Sequence, residues 1–224
     1  MLVVMAIIAV LASITMVGFG TIKKKMRIAR VQAELARLET AIENYKQSLG
    51  FYPPDNALPR PANSQMDLSA PWHAAAPLFY ELSGTVINGP NYQTVEGNET
   101  ISTGLIQQHF GRAGFANASA DKTQVKNFLP TLKDTGYKEA FQDVDVELLV
   151  APVDGPGLLA FPPGTNVIIW RAEPSRPNPW RYVATKPVHR PGEFDLWVDI
   201  VIGSSANSPM YRISNWAEPV QVKP

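Results

Sequence analysis

Residues 1–20 read MLVVMAIIAVLASITMVGFG and residues 28–53 read IARVQAELARLETAIENYKQSLGFYP. The first stretch contains no charged side chain; the second repeats apolar residues at Ile28, Val31, Leu35, Leu38, Ile42 and Tyr45. That spacing of three and four places one narrow apolar stripe along an α-helix. Ala29, Ala33, Ala36 and Ala41 favour helix, and Glu34, Arg37, Glu39, Glu43 and Lys46 supply a polar face. Gly50 suits the left-handed residue that closes a helix, and Pro53-Pro54 forbids its continuation. Together the two stretches predict a single helix of about 48 residues, about 70 Å long. Val31, Leu35, Leu38, Ile42 and Tyr45 are expected to pack on the chain's own sheet, with intermolecular packing as the alternative for some turns.

Twenty uncharged helical residues match the roughly 30 Å apolar thickness of a bilayer. A signal peptide would need a basic leading region and a cleavage site, whereas Met1 runs directly into the apolar segment. Residues 1–22 are therefore expected to be a retained single-pass membrane helix and residues 23–50 its soluble continuation. Lys23, Lys24, Lys25, Arg27 and Arg30 follow. By the positive-inside rule alone, they would hold the C-terminal part in the cytoplasm.

All 20 prolines lie at or after Pro53, so the architecture changes there. Residues 51–224 are long enough for one domain with its own core. Short apolar runs at 146–150, 166–170, 181–184 and 195–202, separated by Gly/Pro turns, read as strands of an antiparallel sheet packed on the helix. Residues 74–83 and 124–132 read as short helices. The stretch 84–120 has no clear period, and about 56–165 reads as a long, irregular insertion. The fold class expected is α+β.

Formal net charge is zero, which gives no basic field for nucleic acid. With no cysteine there is neither a disulfide framework nor a thiolate metal site. His73, His109 and His189 have no second ligand at metal-binding helical spacing, and His189 reads as a loop residue. No nucleophile elbow, phosphate loop or dinucleotide fingerprint is present. Asp143, Asp145 and Glu147 alternate along a candidate strand and would share one face, which resembles an acidic pair or cation site; solvent-facing carboxylates of an edge strand are the commoner explanation of such a pattern. No catalytic, cofactor or metal residue is expected.

The run Leu2, Val3, Val4, Ala6, Ile7, Ala9, Val10, Leu11 and Ile14 resembles the N-terminal helix of type IV pilins and pseudopilins. Gly50-Phe51-Tyr52-Pro53 resembles the Gly-x-Tyr-Pro signature of the major pseudopilin of type II secretion systems. Asn178-Pro179-Trp180, Phe194-Asp195-Leu196 and Ile213-Ser214-Asn215-Trp216 are similar to later landmarks of that family, in the same order. The resemblance implies a pilin-like α+β fold and a non-enzymatic subunit. Such a subunit waits in the bacterial inner membrane, with its C-terminal domain in the periplasm, and is assembled into a homo-oligomeric filament with other pseudopilins and inner-membrane secretion or pilus-assembly components. Periplasmic placement overrides the charge-based orientation, because the family's leader carries its own basic residues.

Four departures stand out. The family's Phe-Thr-Leu-Ile-Glu opening is missing, so its Glu would sit just before Met1 and the true start is expected upstream. Val17 replaces a frequent Pro. Met210, Tyr211 and Arg212 stand where the family places acidic calcium ligands, so calcium is not expected. Residues 56–165 exceed the family's usual middle. The alternative function is a membrane-anchored periplasmic or surface binding protein recognising polysaccharide or protein; Trp72, Phe79, Tyr80 and Tyr92 could serve it if exposed, or belong to the core.

Overall fold

A computed structural model describes residues 2–58, 73, 75–130, 136–141, 144–153, 155, 178–203 and 208–222, without the side chains of 2–21, 137–141 and 144. In chain order the elements are α1 (Leu2–Leu49), α2 (Leu78–Ser83), β1 (Thr85–Asn88), β2 (Asn91–Thr94), β3 (Thr100–Ser102), α3 (Thr103–Phe110), β4 (Ala118–Ser119), β5 (Tyr137–Phe141), β6 (Val144–Ala151), β7 (Asn178–Pro179), β8 (Arg181–Val183), β9 (Asp195–Val201), β10 (Met210–Ser214) and β11 (Val220–Val222). The class is α+β, with antiparallel pairing dominant.

The predicted stripe of α1 is its buried face. Val31, Leu38, Ile42 and Tyr45 are fully buried and Leu35 nearly so, with Ile28 partly buried beside them. They share one core with Tyr182, Leu196, Val198, Ile200 and Ile213 of the C-terminal sheet, whose order is β11-β10-β9-β8. Alternation explains the division: Tyr182 opposes Leu196, and Val198 opposes Ile213, all on the face toward α1.

The membrane placement is a correction. Among the described residues no helix is long and apolar enough to cross a membrane, which overturns the expected single-pass inner-membrane location. Across 22–49, where side chains of α1 are described, never more than three successive residues lack a charge, so no apolar band of the required length can form there.

The stretch 84–120 is more regular than expected. β1 and β2 form a hairpin around Gly89-Pro90, with Gly89 at φ +59°, the position where only glycine is at ease in a two-residue turn. β3 continues the hairpin and β4 joins β1 in parallel, giving the order β3-β2-β1-β4. Ser102 caps α3 by accepting the Leu105 N–H at 3.3 Å, and Gly111 ends it in the left-handed region. These strands are two to four residues long, with Val86, Ile87 and Ile101 set among Thr, Asn, Gln, Tyr and Ser, too short for hydrophobic alternation to reveal them.

Two further expectations fail. Of the expected helix 124–132, residues 131–132 lie outside the described set and 124–130 form no α-helix: after a 3₁₀ turn at Lys122–Gln124 the backbone bonds elsewhere, Phe128 N–H to the Leu82 carbonyl at 2.8 Å and the Asn117 amide to the Lys126 carbonyl at 2.7 Å. Tertiary partners have replaced the helical ones. β6 is the central strand of β5-β6-β7, not an edge. Asp145 is exposed as expected, whereas Glu147 is half-buried beside the Tyr80 hydroxyl, which accepts the Glu147 N–H at 2.9 Å. The expected helix at 74–83 is observed as α2, shorter at its start. Asp143, Trp72 and the run 166–170 lie outside the described residues.

Candidate functional site

α1 ends where Gly50, at φ +87°, donates its N–H to the Lys46 carbonyl at 2.7 Å. The chain then turns so that Tyr52 lies against the helix it has just left. Its hydroxyl donates to Glu43 at 3.1 Å, and the Lys46 ammonium sits 4.1 Å above its ring. Phe194 meets the Tyr52 ring edge-on at 5.1 Å, and Tyr182 donates its hydroxyl to the Pro53 carbonyl at 2.8 Å. Asn215 completes the clasp: its side chain donates to the Phe194 carbonyl at 2.9 Å and accepts the Leu196 N–H at 3.0 Å.

Asp195 gathers the loop before β9. Its carboxylate accepts the N–H groups of Val188, His189 and Arg190 at 2.8–3.0 Å. The His189 ring stacks on Trp216 at 4.0 Å, with Nδ1 3.2 Å from the same carboxylate. Through these contacts the carboxylate and the ring hold the loop 188–190 against Trp216. Arg190 bridges from this loop to Glu39 of α1 at 3.3 Å and to Glu193. Burial raises the Glu39 pKa above the ordinary value, and Arg190 opposes that shift.

Gly50, Tyr52, Pro53, Phe194, Leu196 and Asn215, distant in sequence, thus converge at one end of α1, with Ile213 in the core; Asp195 and Trp216 meet through His189 on the other side of the sheet. Pro179 and Trp180 do not join them. Pro179 pairs with Val150, and the Trp180 N–H donates to the Leu149 carbonyl at 3.0 Å. Leu2, Val3, Val4, Ala6, Ile7, Ala9, Val10, Leu11 and Ile14, the positions expected to form a filament core, lie in α1, their side chains outside the described set.

Sequence reasoning missed two buried charge centres. Glu81 in α2 is fully buried and accepts from the Tyr45 hydroxyl at 2.8 Å and from the N–H groups of Ala116 and Asn117 at 2.9 and 3.0 Å. It ties α1 to the insertion. Burial raises its pKa against the pull of those donors; burial and the facing Glu81 raise that of Tyr45. The second centre lies on the sheet face away from α1. Arg212 grips Asp199 through two bonds of 2.8 and 2.9 Å, while Arg181, 2% exposed, approaches the same carboxylate only to 3.9 Å. Nε and Nη1 of Arg181 have no hydrogen-bond partner among the described residues, and burial lowers its pKa. A lone Glu in Ala-Pro-Leu-Phe-Tyr-Glu-Leu-Ser and an Arg beginning a strand carry no periodic signal that would have found either.

Beside the clasp lies a cleft of about 390 Å³. Asp55, Ala57, Leu58, His73, Arg112, Val183, Thr185, Lys186, Val188 and Trp197 are among its lining residues. Asp55 is buried and accepts from the Ala184 and Thr185 N–H groups at 3.1 and 3.0 Å and from the Thr185 hydroxyl at 2.6 Å. Among the described residues no three His, Asp or Glu side chains come together to hold a metal. Phe79 and Tyr80 are core residues, and half-buried Tyr92 packs on Phe115, so none of the three is a presented aromatic.

No protein-family model, no curated protein and no solved structure matches the chain.

Proposed function

We propose that the chain is a structural filament subunit with a pilin-like architecture, of the pseudopilin kind, assembled through the apolar first half of α1. The observation that carries this reading is the division of one continuous helix. Residues 2–20 are uncharged, and α1 runs through Leu49 without a break. Where its side chains are described, its bonds to the domain begin at Lys24, whose ammonium donates to the Tyr211 hydroxyl at 2.6 Å. Such a run of apolar side chains, if not covered by the chain's own domain, needs a partner, and further copies of the same helix offer one of matching length.

One contact of this kind, repeated from subunit to subunit without closure, generates a helical filament. The convergence of Gly50, Tyr52, Pro53, Phe194 and Asn215 in one clasp adds support, since the resemblance to pseudopilins rests on those residues. Other pseudopilins and the secretion or pilus-assembly components would be its partners.

The test is Ala9→Arg in the full chain, because an unpaired charge in a helix-packed core costs at least about 2 kcal/mol. Sedimentation and negative-stain microscopy should show filaments from the parent and none from the variant, with the melting temperature of the domain unchanged. Filaments of normal yield and length from the variant would exclude assembly through this helix.

A further inference from the structure

The cleft beside the clasp has a chemistry that filament assembly does not call on. Its two buried acids are already committed: Asp55 to three donors of residues 184–185, and Asp195 to the three N–H groups of residues 188–190. Those same bonds spend the backbone N–H groups that could otherwise form an anion-binding nest for phosphate.

The cations are less engaged. Arg112 donates Nε to the Asp55 carbonyl at 2.7 Å, and its Nη2 reaches the Asp55 carboxylate only at 3.8 Å. Lys186 is exposed and has no ion pair among the described residues. Ala57, Leu58, Val183, Val188 and Trp197 supply apolar wall, with Val188 45% exposed. The volume falls in the range of small-molecule sites, which combine apolar lining with a few oriented polar groups.

We infer that this cleft binds a monoanionic carboxylate carrying a small apolar body, with Arg112 and Lys186 holding the carboxylate and the valine and leucine side chains covering the body. A guanidinium pairs well with the planar carboxylate, and the ammonium adds a point charge beside it. One source of such a group is a free short-chain acid; the other is the C-terminus of a peptide ending in an apolar residue. The inference is independent of the assembly reading, because none of the described lining residues belongs to α1.

Titration calorimetry of the full chain with N-acetyl-leucine, N-acetyl-leucinamide, N-acetyl-Ala-Ala-Leu and inorganic phosphate tests it. Saturable binding of the two acids is expected, with the amide bound at least about tenfold more weakly for want of its charge. Tighter binding of the tripeptide identifies a peptide C-terminus as the source; tighter binding of N-acetyl-leucine identifies a free acid. Lys186→Gln should weaken the acid by about three- to tenfold. Val188→Glu, which sets a negative charge at an exposed wall position, should abolish binding while the melting temperature stays that of the parent. Absence of saturable acid binding, equal affinity for the amide, tighter binding of phosphate, or unchanged affinity in both variants would each overturn the inference.

Discussion

The two faces of the β8–β11 sheet are buried alike and built oppositely. Toward α1 stand Tyr182, Leu196, Val198, Ile200 and Ile213; away from it stand Arg181, Asp195, Trp197, Asp199 and Arg212. An antiparallel sheet with one covered face would leave the second set in water. Here Trp197 is fully buried, and Arg181, Asp195 and Asp199 nearly so. His73 tilts against Trp197 at 5.3 Å, Trp216 meets it edge-on at 5.5 Å, and Asn178 donates to the Asp199 carbonyl at 2.7 Å. The first face is held by non-directional apolar contact, which tolerates small adjustments. The second depends on each charge finding its partner, since a buried charge left alone is far more costly than a missing methyl group.

That contrast sets the order of expected effects. Asp199→Ala strikes the charged face where two guanidinium groups share one carboxylate. It should cost about 3–5 kcal/mol, the penalty for stranding a buried charge, read by denaturant unfolding of the full chain. A loss below about 1 kcal/mol, typical of an exposed pair, would show that water reaches this face. Leu38→Ala on the apolar face should cost about 3 kcal/mol, because a fully buried leucine leaves a cavity that its neighbours fill only in part. The same measurement giving no loss would mean that α1 is not seated on the sheet.

The smallest effect is the sharpest discriminator. Arg181→Met removes a guanidinium whose Nε and Nη1 lack partners among the described residues, while Asp199 keeps Arg212. Stability should stay within about 1 kcal/mol of the parent or rise, since apolar volume replaces an imperfectly paired buried ion. A loss comparable to that of Asp199→Ala would assign Arg181 an anionic partner beyond Asp199.

Legibility followed the same division. The stripe from Val31 to Tyr45, the stop at Gly50 and the strands around 146–150, 181–184 and 195–202 could all be read, because helical and strand periods are local and the apolar residues mark them. The β1–β2 hairpin could have been suspected from Asn88-Gly89-Pro90-Asn91 and α3 from the Ser102 to Gly111 capping pair, but the strands are too short to show any alternation. Nothing local distinguished β6 as a central strand, for strand order is set by partners far along the chain. The clasp was foreshadowed only as a series of landmarks. That Phe194, Asn215 and Tyr52 meet, and that Pro179 and Trp180 do not meet them, depends on how the sheet folds back over the end of α1.

The amino-acid sequence by itself determined that a long helix with one apolar stripe and an uncharged first half precedes a proline-rich α+β domain without cysteine. Periodicity and composition act within a few turns or strands and need no distant partner. Only the tertiary structure decided that the second face of the sheet is covered, that Glu81 is buried as the tie between α1 and the insertion, and that Asp55, Arg112 and Lys186 line one cleft. Burial and pairing of a charge are properties of the neighbours that the fold assembles around it, and those neighbours lie from 35 to 130 residues away along the chain for Glu81 and Asp55.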